Sequence, residues 1–179
     1  RLARPEAQRL VSGNGRYTDD IVPARMVHAV FLRSPHAHAR IASIDTTDAK
    51  AAPGVIAVVT GDDLAAVCRP WQTKLAPFPG HVSPIQYPLA RGEVCWQGEP
   101  VVAVVAESRA RAEDALEHIA IEWHELPAIA SMEAAARPGA PSAHSQLSTN
   151  LGLDHSFAAG DSDAVFRDAA IVVEHEFDF

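Results

Sequence analysis

The residues of this chain whose type and spacing could support metal chemistry are His36 and His38, within Ser-Pro-His-Ala-His. Side chains two residues apart on a strand point to the same side, so both imidazoles could bind one cation. No carboxylate or third histidine stands at a supporting spacing, and such pairs more often hydrogen-bond to the backbone. His118 and His124 are interpreted in the same way. We therefore predict no metal ligands.

The two cysteines, Cys68 and Cys95, lie far apart and form no Cys-x-x-Cys pair. The sequence therefore predicts neither a disulfide framework nor an iron–sulfur or zinc site, and we expect two reduced thiols packed as small hydrophobic groups. A nucleophile is equally hard to find, because Ser34 precedes Pro35 outside any strand–turn–helix context. The sequence thus offers no catalytic residue.

The paired glycines and the paired aspartates of this chain are explained by local backbone structure, without a binding site. Gly13-x-Gly15 lacks the preceding strand and the third glycine of a dinucleotide-binding loop, which favours a turn. Asp62 and Asp63 stand where a short helix is predicted to begin, and negative charge is favourable there. No cofactor-binding residue is therefore predicted, and the residues indicate a scaffold rather than an active site.

Composition fits an ordinary globular domain with extensions: 179 residues, 47% hydrophobic and 21% charged. The net charge is −8 and the basic residues are scattered, so we expect no nucleic-acid partner. No apolar stretch approaches the roughly 20 residues of a membrane span, and the first residues lack a signal-peptide core. The chain begins without Met and ends within a strand-like pattern, so we expect a soluble piece of a longer protein.

Strand patterns dominate the first half of the chain. Residues 26–33 and 55–60 carry apolar side chains toward both faces, which predicts two buried strands. Residues 40–45 alternate, and Thr46 or Thr47 could cap a short helix that Pro53-Gly54 stops. A further short helix is predicted to begin at Gly61-Asp62.

The second half contains the clearest local pattern. Strands are predicted at 93–96 and 100–106, with a turn at Gly98, and Ser108 is a good cap for a helix through His118. Residues 119–124 alternate, which completes a predicted strand–helix–strand unit. Asp161 should cap a further helix, with a last strand from Ile171 to Phe177.

Several sequence blocks closely resemble the amino-terminal α/β hammerhead domain of the xanthine dehydrogenase and aldehyde oxidase family. They lie across most of residues 9–130 and are specific in combination. The blocks are Gly13-Asn14-Gly15-Arg16-Tyr17-Thr18-Asp19-Asp20-Ile21, Arg33-Ser34-Pro35-His36-Ala37-His38-Ala39-Arg40-Ile41, Pro53-Gly54-Val55 with Gly61-Asp62-Asp63-Leu64, Gly98-Glu99-Pro100-Val101, Ala112-Glu113-Asp114-Ala115 and Glu125-Leu126-Pro127-Ala128.

This resemblance implies an α+β fold and a molybdenum hydroxylase large subunit. Its cofactor would be a molybdenum–pterin group, either molybdopterin or its cytosine dinucleotide form, held mainly by the larger region that follows the hammerhead domain. Iron–sulfur clusters and FAD would lie on partner subunits or domains. The implied reaction hydroxylates an aldehyde, N-heterocycle or similar small substrate, with water as the oxygen source. No cofactor ligand or catalytic residue carries over to a position here, so we expect the isolated chain to be inactive.

The resemblance also implies a division of the chain. We expect an N-terminal arm over 1–20, the hammerhead domain over 21–133 and a linker over 134–160. Residues 161–179 would begin the molybdenum-cofactor-binding domain, which is the expected partner within the subunit. The cytoplasm is the expected location, with export of the parent enzyme as the open alternative.

Residues 67–92 form an unusually long predicted loop, with Pro70, Pro79, Pro84 and Pro88. In relatives the corresponding connection lies near the substrate funnel, so Trp71, Phe78 and Tyr87 are substrate-channel candidates that could contact a flat aromatic substrate. The alternative is that these rings only pin the loop to the domain. For the chain as a whole, the alternative is a non-catalytic small-molecule-binding module that uses this loop for recognition, or a subunit-assembly module.

Overall fold

The computed structural model describes residues 4–177. Arg1, Leu2 and Ala3 of the expected arm, and Asp178 and Phe179 of the expected last domain, lie outside the described residues. No helix among those described has the length and apolar character to cross a bilayer. The elements in chain order are α1 (Ala7–Val11), a 3₁₀ turn (Thr18–Asp20), β1 (His28–Arg33), β2 (Ala39–Asp45), α2 (Thr47–Ala51), β3 (Val55–Thr60), α3 (Gly61–Leu64), β4 (Glu93–Val94), β5 (Pro100–Ala106), α4 (Arg109–Leu116), β6 (Ala120–Glu125), α5 (Met132–Ala135) and α6 (Ser162–Asp168).

Between residues 4 and 177 the strands form two antiparallel three-stranded sheets, in the orders β1-β5-β3 and β4-β2-β6. The central strand β5 carries the apolar run that the sequence predicts, and Val101, Val102 and Val104 on it are fully buried. Burying each such side chain contributes about 1.5–3 kcal/mol relative to leaving it exposed. Helix α4 packs on β1 and β5, with Ala112 and Ala115 fully buried because their small side chains let the helix lie close.

Helix capping follows the predictions at α4 and α6 and differs from them at α2. Ser108 Oγ accepts the Arg111 backbone N–H at 3.3 Å at the start of α4, and Asp161 Oδ1 accepts the Ala164 N–H at 2.9 Å at the start of α6. Helix α2 follows Thr46 as predicted, but the Asp45 carboxylate, rather than a threonine hydroxyl, accepts the N–H of Thr47.

Three interpretations of the strands need correction. The predicted strands 26–33 and 55–60 form, yet they are the edges of their sheet, and Phe31 and Ile56 are 45% and 57% exposed. Strands β5 and β6 flank α4 as predicted, but each belongs to a different sheet. The predicted strand Ile171–Phe177 is irregular and exposed, since no other described segment pairs with it.

Candidate functional site

His38 stands at the centre of a cluster that joins three distant parts of the chain. The backbone bends over residues 35–38 and enters β2 at Ala39. The His38 ring, 6% exposed, places Nδ1 2.8 Å from the Pro127 carbonyl oxygen and Nε2 2.8 Å from Glu93 Oε1. The predicted hydrogen bond from this histidine to the backbone is therefore confirmed.

His36 does not join His38, contrary to the geometry expected on a strand. Its Nδ1 lies 3.5 Å from Glu125 Oε1, and its ring packs on Trp123 with centroids 5.3 Å apart. The bend at 35–38 turns the two rings toward different partners, so they cannot share a cation.

Glu93, the first residue of β4, receives several hydrogen bonds on one oxygen. Besides facing His38, Oε1 accepts the Ser145 backbone N–H at 2.9 Å and lies 3.5 Å from Cys95 Sγ. Burial opposes ionisation, but the hydrogen bonds from Ser145, His38 and Cys95 outweigh it, and the pKa of Glu93 is lowered. The carboxylate is therefore ionised at neutral pH.

Cys95 borders this polar cluster rather than packing only as a small hydrophobic group. Burial, followed by the negative charges of Glu93 and Glu99, raises the pKa of its thiol to about 12. Burial also raises the pKa of Glu99, whose Oε2 accepts the Cys95 backbone N–H at 2.6 Å. At neutral pH Cys95 is protonated, which makes it a poor nucleophile.

An open cavity of about 270 Å³ lies beside the cluster. Glu93, Cys95 and Glu99 line it from β4 and the turn that follows, and Tyr87 and His144 line it from the two long irregular segments. Burial lowers the pKa of His144, and the smaller effect of the Glu93 charge opposes this shift. This cavity is the candidate functional site.

The long loop is fastened to the domain at its end. Leu89 and Ala90 are buried, and their carbonyl oxygens approach Gly61 so closely that a Cβ added there would lie 2.6 Å from the Ala90 oxygen. Arg91 Nε pairs with Asp62 Oδ1 at 2.6 Å. Asp63 lies at the predicted start of α3 and forms a capping box there, because Oδ2 accepts the Thr60 N–H at 2.8 Å.

The three aromatic substrate-channel candidates occupy different places along the loop. Tyr87 lines the candidate cavity, whereas Phe78 packs edge-to-face on His155 with centroids 4.9 Å apart. Trp71 is 53% exposed and pairs through its backbone with Gln86. A channel role for all three stays a prediction, and Tyr87 is the candidate that lines the cavity together with Glu93 and Glu99.

Sequence reasoning missed the contact of Glu93 with His38 and the presence of Glu99 and His144 in the same cavity as Glu93. One signal was available, since Glu93 and Cys95 are two apart on a predicted strand and therefore point to the same side. The approach of His38 and of Ser145 depends on pairing between remote segments, which local spacing does not encode.

Comparison with known proteins decides the family. Residues 12–127 match the model described as aldehyde oxidase and xanthine dehydrogenase, a/b hammerhead domain. The chain belongs to this family. The resemblance found in the sequence blocks is thereby confirmed, and so is the mixed α and β fold.

Relatives of this hammerhead domain are parts of much longer chains. The nicotine 6-hydroxylase large subunit of Paenarthrobacter nicotinovorans is 38% identical over 97% of this chain, which spans 21% of that protein. The xanthine dehydrogenase molybdenum-binding subunit of Escherichia coli O157:H7 is 36% identical over 79% of this chain and 19% of its own length. The chain therefore spans about a fifth of the curated relatives that it matches.

A solved structure has the same fold over nearly the whole of this chain. The quinoline 2-oxidoreductase of Pseudomonas putida 86 superposes with a TM-score of 0.84 at 42% identity, covering 96% of this chain and 22% of that one. The fold described above is therefore also found within a large oxidoreductase chain.

Proposed function

We propose that this hammerhead domain is the N-terminal structural and substrate-channel part of a molybdenum hydroxylase large subunit. The parent enzyme would hydroxylate an aldehyde, N-heterocycle or similar small substrate, taking its oxygen from water. The observation that carries the proposal is the 42% identity to a fifth of the quinoline 2-oxidoreductase chain at a TM-score of 0.84. The domain division into 1–20, 21–133, 134–160 and 161–179 belongs to the same proposal.

The described residues do not fit a role as ligands of a molybdenum–pterin group. No buried side-chain nitrogen or oxygen within 4–177 lacks a hydrogen-bond partner, so none marks the place of a missing polar ligand. A cavity of about 600 Å³ is lined mostly by small side chains of the segment 132–151 with Arg137 as its cation. The cofactor would therefore be held by the rest of the large subunit.

This chain would shape the substrate channel and contact the substrate. Tyr87 offers a half-exposed ring beside the acidic cavity, and Trp71 offers an exposed one. A flat heteroaromatic substrate can stack on such rings at a gain of about 0.5–1.5 kcal/mol beyond burial. Iron–sulfur and flavin subunits, and a cytoplasmic location, are further parts of the proposal.

The test is steady-state kinetics of the full large subunit assembled with its partners. Replacing Tyr87 or Trp71 by Ala should lower kcat/KM for an N-heterocycle about 2- to 10-fold, mostly through KM, because ground-state contact is lost. Val67→Ala, at an exposed apolar residue of the same loop, is the matched control. Unchanged kinetics in both aromatic variants would favour an assembly module, and an assembled enzyme without molybdenum by elemental analysis would refute the family activity.

A further inference from the structure

The His38 ring and the Glu93 carboxyl group meet with Nε2 2.8 Å from Oε1. The Pro127 carbonyl oxygen can only accept, so Nδ1 of His38, 2.8 Å away, carries the hydrogen of that bond. A neutral imidazole has a single N–H, which leaves a lone pair on Nε2. That lone pair would point at the Glu93 carboxyl oxygen 2.8 Å away. Two acceptors at this distance repel unless a proton or a metal ion lies between them.

A third ligand atom completes the set. Cys95 Sγ lies 3.5 Å from the same Glu93 oxygen, and the three ligand atoms from His38, Glu93 and Cys95 all lie within 4.8 Å of one another. Ligands around tetrahedral zinc, at bond lengths of about 2.0–2.3 Å, stand roughly 3.3–3.7 Å apart. The present separations bracket that range, so shifts of about 1 Å or less would bring all three onto one ion.

The surroundings supply what a bound ion requires. The Pro127 carbonyl fixes the tautomer and orientation of His38, as outer partners of metal-bound imidazoles commonly do. The Ser145 N–H holds Glu93 in place. His144 lines the same cavity as Glu93 and Cys95, so the fourth position is open to its imidazole or to water.

We propose that His38 Nε2, the Glu93 carboxylate and Cys95 Sγ form a binding site for a zinc-like divalent cation. The mixed nitrogen, oxygen and sulfur set suits zinc or cobalt and disfavours magnesium and calcium, which prefer oxygen ligands. Binding displaces the thiol proton of Cys95 to solvent, together with any proton that bridges His38 and Glu93. The site is independent of the proposed hydroxylase activity, because it uses only residues of this chain.

Cobalt(II) is the probe, titrated into the full 179-residue chain once circular dichroism shows that the chain is folded. We expect one cobalt per chain, with a thiolate-to-cobalt charge-transfer band in the near ultraviolet that added Zn²⁺ bleaches. Cys95→Ser should abolish the band. Cys68→Ser, the matched control at the other free cysteine, should keep it. A band that survives in Cys95→Ser, or a folded wild type without one, would overturn the proposal in favour of a shared proton only.

If Cys95→Ser loses its circular dichroism signal and is therefore unfolded, thermal unfolding of the other proteins provides a second test. Zn²⁺ binds only the folded arrangement of these ligands, so it should raise the Tm of the wild type and of Cys68→Ser. Glu93→Gln should bind Co²⁺ at least about tenfold more weakly, since loss of a ligand should exceed the loss seen for outer partners. Equal affinities in wild type and Glu93→Gln would contradict the site.

Discussion

The backbone N–H of Ser145 donates to Glu93 Oε1 at 2.9 Å, although the two residues are 52 positions apart. This bond ties the segment 134–160 to β4 at the edge of the second sheet. Because the same oxygen faces His38, one carboxylate holds an irregular segment and a buried ring together. The segment is therefore fastened to the domain at this point.

Removing that carboxylate should destabilise the domain. In the presence of a chelator, Glu93→Ala should lower the free energy of unfolding by about 1–3 kcal/mol, because His38 and the Ser145 N–H lose their partner. Glu93→Gln should cost less than Glu93→Ala, since its amide oxygen can take the place of Oε1 and still accept the Ser145 N–H. Urea unfolding measures both, and hydrogen exchange of the Ser145 amide should accelerate only in Glu93→Ala.

The control is Glu125→Ala, which removes the other glutamate that faces a histidine. That side chain is 77% exposed, so its loss should change the stability by less than about 0.5 kcal/mol. Equal effects of Glu93→Ala and Glu125→Ala would contradict the anchoring role.

Gly61 should not tolerate a side chain. A Cβ there would lie 2.6 Å from the Ala90 carbonyl oxygen and 3.0 Å from that of Leu89. Because these atoms are backbone, the end of the long loop must shift, and Gly61→Ala should cost about 1–3 kcal/mol in thermal or urea unfolding. At Gly152 the nearest atom is the Val82 oxygen at 3.4 Å, so Gly152→Ala should cost less than about 1 kcal/mol. A neutral Gly61→Ala would show that the loop end is loosely held.

The central strand β5 should contribute more to the free energy of unfolding than the edge strand β3. Val102→Ala, at a fully buried position of β5, should lower the free energy of unfolding by about 1.5–3 kcal/mol through lost burial and the cavity left behind. Ile56→Ala removes more atoms from β3, yet should cost less than about 1 kcal/mol because Ile56 is 57% exposed. If the order were reversed in urea unfolding, the assignment of the core to β5 would be wrong.

The capping box of α3 should give a pH-dependent contribution to stability. Hydrogen bonds from the Thr60 backbone, then from its hydroxyl, lower the pKa of Asp63 below its ordinary value of 3.8. A lowered folded-state pKa means that the contribution is present above pH 3.8 and is lost as the pH falls through the folded-state value. Asp63→Ala should therefore be less stable than wild type by about 0.5–1 kcal/mol at pH 7, with the gap closing under acid.

Thr60→Ser provides the control for the capping box, because it retains both the backbone N–H and a hydroxyl. Its stability should follow the wild-type pH dependence in thermal unfolding followed from pH 7 to pH 2. A gap between Asp63→Ala and wild type that is constant over this range would show that the carboxylate charge plays no part.

Local sequence determined much of the secondary structure. The run of valines in β5, the Ser108 cap of α4 and the acidic start of α3 each depend on residues within a few positions, so periodicity and helix-start rules located them. The family blocks, in their order and spacing, also identified the domain. A local pattern suffices where the interactions that stabilise an element lie within that element.

Tertiary structure alone decided which strands pair and which side chains meet. The apolar faces of β1 and β3 predicted burial, but each strand became a sheet edge because β5 took the central place. The approach of His38 to Glu93 and Pro127 joins residues 55 and 89 positions apart. Such contacts depend on long-range pairing and on the entropy of closing the intervening loops, neither of which a window of neighbouring residues records.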